Sequence, residues 1–157
     1  MSRAFVKEDD VGSSGDPLPG RLISGHRNLV TAEGLAFIEA EAERLARDYG
    51  VAQTSDNRSD LEAVARELSY WTQRRASAEL QAEPPADGRV HFGSRVGIER
   101  ADGRRQTFRI VGEDEADPAR GSISYVSPLA QALIGKAIGD NVRAGAQDAE
   151  IISITAR

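Results

Sequence analysis

The sequence predicts an α+β protein: an N-terminal antiparallel coiled-coil hairpin followed by a small antiparallel-sheet domain with one short helix. Three observations predict it. Apolar residues recur at alternating steps of three and four through residues 35–78, which is the seam of a coiled coil. A polar break, Gln53-Thr54-Ser55-Asp56-Asn57, divides that run, and two such helices joined by a short loop must run antiparallel. From Gly88 onward the period falls to two and turn residues punctuate the chain, as in hairpin-connected strands.

Residues 1–30 read as a mobile tail and linker. Asp10-Val11-Gly12-Ser13-Ser14-Gly15-Asp16-Pro17-Leu18-Pro19-Gly20 has no apolar period and many breakers. The hairpin spans 31–83. Thr31 is a good N-cap, with Glu33 in the first turn. The first seam is Leu35, Ile38, Ala42, Leu45, Tyr49 and Ala52. The second is Leu61, Val64, Leu68, Trp71, Arg75 and Ala78. Ser59 is the expected cap of the second helix, with Glu62 as its capping-box partner, and Pro84-Pro85 are its expected stop. Arms of about 20–25 residues make a hairpin on the order of 30–35 Å long. Trp71 is read as a core residue. Arg75 falls on the seam near the hairpin base, where its guanidinium snorkels or meets the second domain.

The sheet domain spans 84–157. Arg89-Val90-His91-Phe92 and Val96-Gly97-Ile98 read as strands, Ala101-Asp102-Gly103 as a hairpin turn, and Thr107–Val111 as the returning strand. Ser122–Val126 is another strand. Ser127 caps a short helix with Pro128 at its first position. Gly135 and Gly139 mark a turn, and Glu150–Ile154 closes the sheet.

Composition narrows the function classes. The formal net charge is −5, the wrong sign for a protein that coats a duplex. Residues 31–83 carry the whole surplus, with eleven acidic and six basic groups, while the flanking segments are each neutral. Such a segment is either simply well solvated or delivers carboxylates to a partner. There is no cysteine, so disulfides, thiolate zinc sites and thiol catalysis are excluded, in keeping with a reducing cytoplasm. No apolar run approaches the roughly 18 residues of a membrane span, and no secretory h-region is expected. His26 and His91 have no partner at metal-ligand spacing. No phosphate-cradling loop or Gly-x-Ser-x-Gly elbow is present. A self-sufficient enzyme is therefore not expected. Two acidic constellations remain: the hairpin tip, Asp56, Asp60 and Glu62, and the loop Glu113-Asp114-Glu115-Ala116-Asp117.

Particular stretches resemble the bacterial Gre (GreA/GreB) family. Gly88-Arg89-Val90-His91-Phe92-Gly93-Ser94-Arg95-Val96 is similar to the first strand of the Gre C-terminal domain. Phe108-Arg109-Ile110-Val111-Gly112-Glu113-Asp114-Glu115-Ala116-Asp117 looks like its signature stretch. Ile123 to Lys136 resembles its strand, Ser-Pro, helix and Gly-Lys run. The resemblance implies an FKBP-like C-terminal domain that docks on the rim of the RNA polymerase secondary channel, and a coiled coil that enters the channel. It implies tip acids, here Asp56, Asp60 and Glu62, that help hold a second Mg2+ shared with the polymerase active site. A two-metal site of this kind activates the attacking water. Backtracked RNA would be cut by the polymerase, so the factor is not itself an enzyme and has no cofactor of its own. It implies contact with nascent RNA and DNA only through the polymerase, no membrane, a monomer and a cytoplasmic location. Glu113, Asp114, Asp117, Val126, Ser127 and Pro128 are the polymerase-docking candidates.

The chain departs from that family in two places. Gre members run about 20 residues longer across the hairpin, which split between two arms is roughly 15 Å of reach at about 1.5 Å per residue. The tip pattern Gly-Asp-x-x-Glu-Asn is replaced by Ser55-Asp56-Asn57-Arg58-Ser59-Asp60-Leu61-Glu62. Either Asn57 and Asp60 or Asp56 and Asp60 take the acid positions, the second pairing being one residue too long. Val126 precedes Ser127-Pro128 where some members carry a polar group. The expected function is a Gre-like regulator that occupies the channel without stimulating cleavage. The alternatives are a module like the nucleoside diphosphate kinase regulators, which share this C-terminal domain type, and a prolyl isomerase, for which fold alone is a weak warrant.

Overall fold

The computed structural model describes residues 20–156. The tail expected over residues 1–19 lies outside the described residues. A two-residue strand β1 (Leu29–Val30) leads into helix α1 (Ala32–Ala52), and helix α2 (Arg58–Ser77) leads into β2 (Glu79–Leu80). β1 and β2 pair in parallel and tie the two ends of the helical pair together.

α1 begins as expected. The Thr31 hydroxyl accepts from the Gly34 N–H at 2.9 Å, satisfying one donor left free at a helix start. Ile38, Ala42, Leu45 and Ala52 form its buried stripe. α2 is capped by Asn57 and not by Ser59. Asn57 Oδ1 accepts from the Asp60 N–H at 3.2 Å, and Asn57 Nδ2 donates back to the Asp60 carboxylate at 2.7 Å. The pair closes the first turn reciprocally, two residues earlier than expected, with the return bond made to the cap's side chain and not to its backbone N–H as in a capping box. Asn57→Ala should lower the thermal unfolding midpoint by roughly 2–4 °C, since losing such a cap costs about 1 kcal/mol; differential scanning calorimetry checks it.

α2 ends at Ser77, well before Pro84-Pro85. The Asn28 side-chain amide donates to the Arg74 carbonyl at 2.7 Å, closing off the last turn, and the pairing of β2 with β1 draws the chain into extended backbone. The segment Gly20–Val30, expected as linker, is anchored for the same reason. Asn28 and Val30 are buried, and Arg21 lies 3.8 Å over the Tyr70 ring. The buried stripe of α2 also rotates near its end. Tyr70, Trp71 and Arg74 are buried, while Arg75 is exposed. Arg74 takes the inward place read for Arg75 because its Nε donates to the Asp114 carboxylate.

The second part is a five-stranded sheet of β3 (Arg95–Arg100), β4 (Arg105–Val111), β5 (Ser122–Ser124), β6 (Asn141–Ala144) and β7 (Gln147–Thr155). Their order is β5-β4-β3-β7-β6. Three pairings are antiparallel, but β4 and β5 run parallel, so the sheet is mixed and not purely antiparallel. The reason is the connection. Between β4 and β5 the chain passes through a 3-10 turn (Pro118–Arg120) and Gly121 at φ +84°, which brings it back beside Arg109 so that β5 runs alongside the last part of β4. Arg89–Phe92 makes only an isolated bridge from Arg89 to Ala137, not a strand. Short β6 was not expected; it buries Val142 and Ala144 alternately. The β3–β7 pairing carries an irregularity between Gly97 and Ile98, and any side chain at Gly97 would collide with the Ser153 hydroxyl.

Ser127 caps α3 (Pro128–Leu133) by accepting from the Ala130 N–H at 3.3 Å. α3 buries Ala130 and Leu133 in one apolar cluster with Val96, Ile98, Ile110 and Ile151. A second cluster sits at the base of the helical pair, with Val30, Ile38, Ala42, Leu45, Tyr70 and Trp71. The two clusters share no residue. Among the described residues no helix is long and apolar enough to cross a membrane.

Candidate functional site

Two acidic regions were marked by the sequence, and they have different fates. At the tip, Asp56, Asp60 and Glu62 are all exposed. Asp60 is held by Asn57, and Glu62 accepts from Arg58 Nε at 2.9 Å. Asp56 has no hydrogen bond or ion pair within the described residues. Among these residues no group of three His, Cys, Asp or Glu side chains is arranged to hold a metal. The three tip carboxylates therefore do not form a metal-holding group by themselves.

The loop after β4 is a shoulder packed against the base of the helices. It starts at Gly112, where any side chain would collide with the Leu29 carbonyl, so glycine alone lets β1 lie against the end of β4. Asp114 turns inward, its side chain 4% exposed. One carboxylate oxygen accepts from Arg74 Nε at 2.5 Å, and the other accepts from the Tyr70 hydroxyl. Arg74 in turn donates from Nη2 to Asn28 Oδ1 at 2.7 Å. Glu113 stands 3.7 Å from the same guanidinium. Burial, with the Asp114 carboxylate behind it, pushes the Tyr70 hydroxyl up to about 12, so Tyr70 keeps its proton and acts as a donor.

The neighbouring acid grips the other helix. Glu115 Oε2 accepts from the Thr31 hydroxyl at 2.5 Å, the same hydroxyl that caps α1. Arg109 on β4 lies 3.3 Å from Glu33 and 3.8 Å from Glu115. The Tyr125 hydroxyl donates to the Arg27 carbonyl at 2.5 Å, closing the contact from the β5 side.

The remaining docking candidates face outward or shape the rim. Asp117 is half exposed and 3.5 Å from Arg120. Pro128 is exposed, Val126 is half-buried, and Ser127 spends its hydroxyl on the α3 cap. Asp117 is bonded to Ser122 at the start of β5, while Val126-Ser127-Pro128 follow its end. Sequence reasoning missed Asn28, Tyr70 and Arg74 at the shoulder. Their one local signal was Tyr70 and Arg74 at i, i+4, polar groups stacked on a single helix face.

Residues 84–156 match the family model for the transcription elongation factor GreA/GreB C-terminal domain. GreB of Neisseria meningitidis serogroup A is 39% identical over 101 residues, covering 60% of this chain and 61% of that protein. The chain thus spans about three fifths of that relative's length. GreA of Hyphomonas neptunium is 37% identical over 149 residues, covering 80% of this chain and 95% of that protein. The solved structure of GreA factor homolog 1 (Gfh1) from Thermus thermophilus is 22% identical, covers 83% of this chain and 99% of its own, and has a TM-score of 0.41. With a relative above one third identity aligned over nearly its whole length, the chain belongs to the GreA/GreB family of transcription elongation factors.

Proposed function

We propose that this protein binds RNA polymerase at its secondary channel, with the sheet domain docking on the rim and the helical hairpin inserted, and that it regulates transcription by occupying the channel without stimulating transcript cleavage. The observation that carries this reading is the hairpin itself. Its helices have 21 and 20 residues and end in a tip where Asp60 and Glu62 are held by neighbours. An arm of 21 residues reaches about 31 Å at about 1.5 Å per residue. A carboxylate coordinates a hard divalent ion only from about 2–2.5 Å, so a shortfall of roughly 15 Å in reach removes Asp56 from the polymerase metal. Any RNA cleavage would be the polymerase's own chemistry. On this reading docking falls to the outward groups Asp117, Val126 and Pro128, while Glu113 and Asp114 hold the hairpin.

The test is a transcript-cleavage assay on backtracked polymerase, run beside an association measurement with core polymerase. The expected result is stable association and cleavage no faster than the polymerase's intrinsic rate, unchanged in Asp56→Ala/Asp60→Ala. Rapid cleavage that disappears in this double variant would sink the non-cleaving reading. Lack of any association with core polymerase would sink the binding reading, and pull-down of a different protein would favour the kinase-regulator alternative.

A further inference from the structure

We propose that Asp114 is a positioning residue that fixes the angle at which the hairpin leaves the sheet domain. The functional consequence of this rests on the channel-insertion reading; the positioning itself does not.

The two parts of the molecule have separate apolar clusters with no shared residue. What joins them is polar and directional. Apolar contact alone tolerates sliding and tilting, because burial is non-directional. A carboxylate with both oxygens engaged tolerates neither. Asp114 binds Tyr70 and Arg74, which sit one turn apart on one face of α2. That grip fixes both the height of α2 and its rotation about its own axis. The adjacent Glu115 binds Thr31 at the start of α1. Two consecutive residues of one loop therefore hold the bases of both helices. Glu115 sits so close to α1 that a side chain at Gly34 would run into its carboxylate.

The lever is long. A tilt of about 10° at the base moves the tip of an arm about 31 Å long by about 5 Å, comparable to one helical turn. Buried ionic groups are often worth little as net stability, and their best-attested use is to select one arrangement among several. Arg74 is 1% exposed, and its side-chain partners come from two segments distant in sequence, Asn28 before α1 and Glu113-Asp114 after β4, which suits that use.

The test exploits the absence of cysteine. Thr54→Cys at the tip and Arg104→Cys at the β3–β4 turn give two unique label sites on exposed residues. Pulsed electron–electron resonance then reads the tip-to-sheet distance in the free protein. The parent should give one narrow distribution. Asp114→Asn, which keeps the shape and removes the charge, should at least double its width while cooperative unfolding persists. Tyr70→Phe should broaden it less. An unchanged width in both variants overturns the proposal. If Asp114→Asn does not fold, Tyr70→Phe combined with Glu115→Gln takes its place, and a parent-like width there overturns the proposal as well. Association of the parent with core polymerase is measured separately. Its failure would remove the channel reading and leave the distance result standing.

Discussion

Arg74→Ala should destabilise the fold by about 3–5 kcal/mol, the range for breaking a buried ion pair from one side. Among the described residues Arg74 is the only fully buried cation. Its removal leaves Asp114, already 4% exposed, without its charged partner, and leaves Glu113 beside it. Two carboxylates would then share a poorly hydrated space with no compensating charge. Asn28 would lose its acceptor bond as well. Since a domain of this size holds only about 5–15 kcal/mol of stability, the variant should lose a large part of it. Urea unfolding at neutral pH measures this as a drop in midpoint at unchanged slope. Paired with Asp114→Ala in a double-mutant cycle, the coupling should exceed about 1 kcal/mol, because the two groups touch. Coupling near zero would mean that water reaches Asp114 and that the joint is weaker than its geometry implies.

Much of this architecture could be read from spacing, and the parts that could not share one cause. Ile38, Ala42, Leu45 and Ala52 were predicted inward and are inward, since a helix must turn a three-four apolar repeat toward something. Thr31 and Ser127 were predicted caps and are caps, since those choices are local. Arg75 in place of Arg74 is a different sort of failure. The two arginines are adjacent, and what selects between them is Asp114, 40 residues away. The stop of α2 at Ser77 depends on Asn28, which bonds the Arg74 carbonyl from 46 residues away. The parallel placement of β5 depends on where a ten-residue connection lands. The acidic loop shows the same limit in the candidate site. Glu113 to Asp117 reads as one charged run, yet Asp114 and Glu115 belong to the interior joint and Asp117 to the surface. Composition cannot divide such a run; only the partner helices do.

Trp71→Ala should cost about 3–5 kcal/mol, the range for removing a buried aromatic side chain from a core. Trp71 is 7% exposed. Its ring meets Tyr70 edge-on at 5.2 Å and Phe37 at 5.4 Å between centroids, and Arg21 lies 5.5 Å from it. Edge-to-face pairs add about 0.5–1.5 kcal/mol beyond burial, so two of them place this site toward the upper end. The loss should be local. The cluster holding Trp71 is separate from the one under the sheet, and local opening follows the stability of each cooperative unit. Hydrogen exchange should therefore show protection falling by orders of magnitude in α1 and α2 while β3, β4 and β7 keep theirs. Equal losses in both parts would mean that the polar shoulder makes them one cooperative unit. In that case the joint built on Asp114 would transmit stability as well as angle.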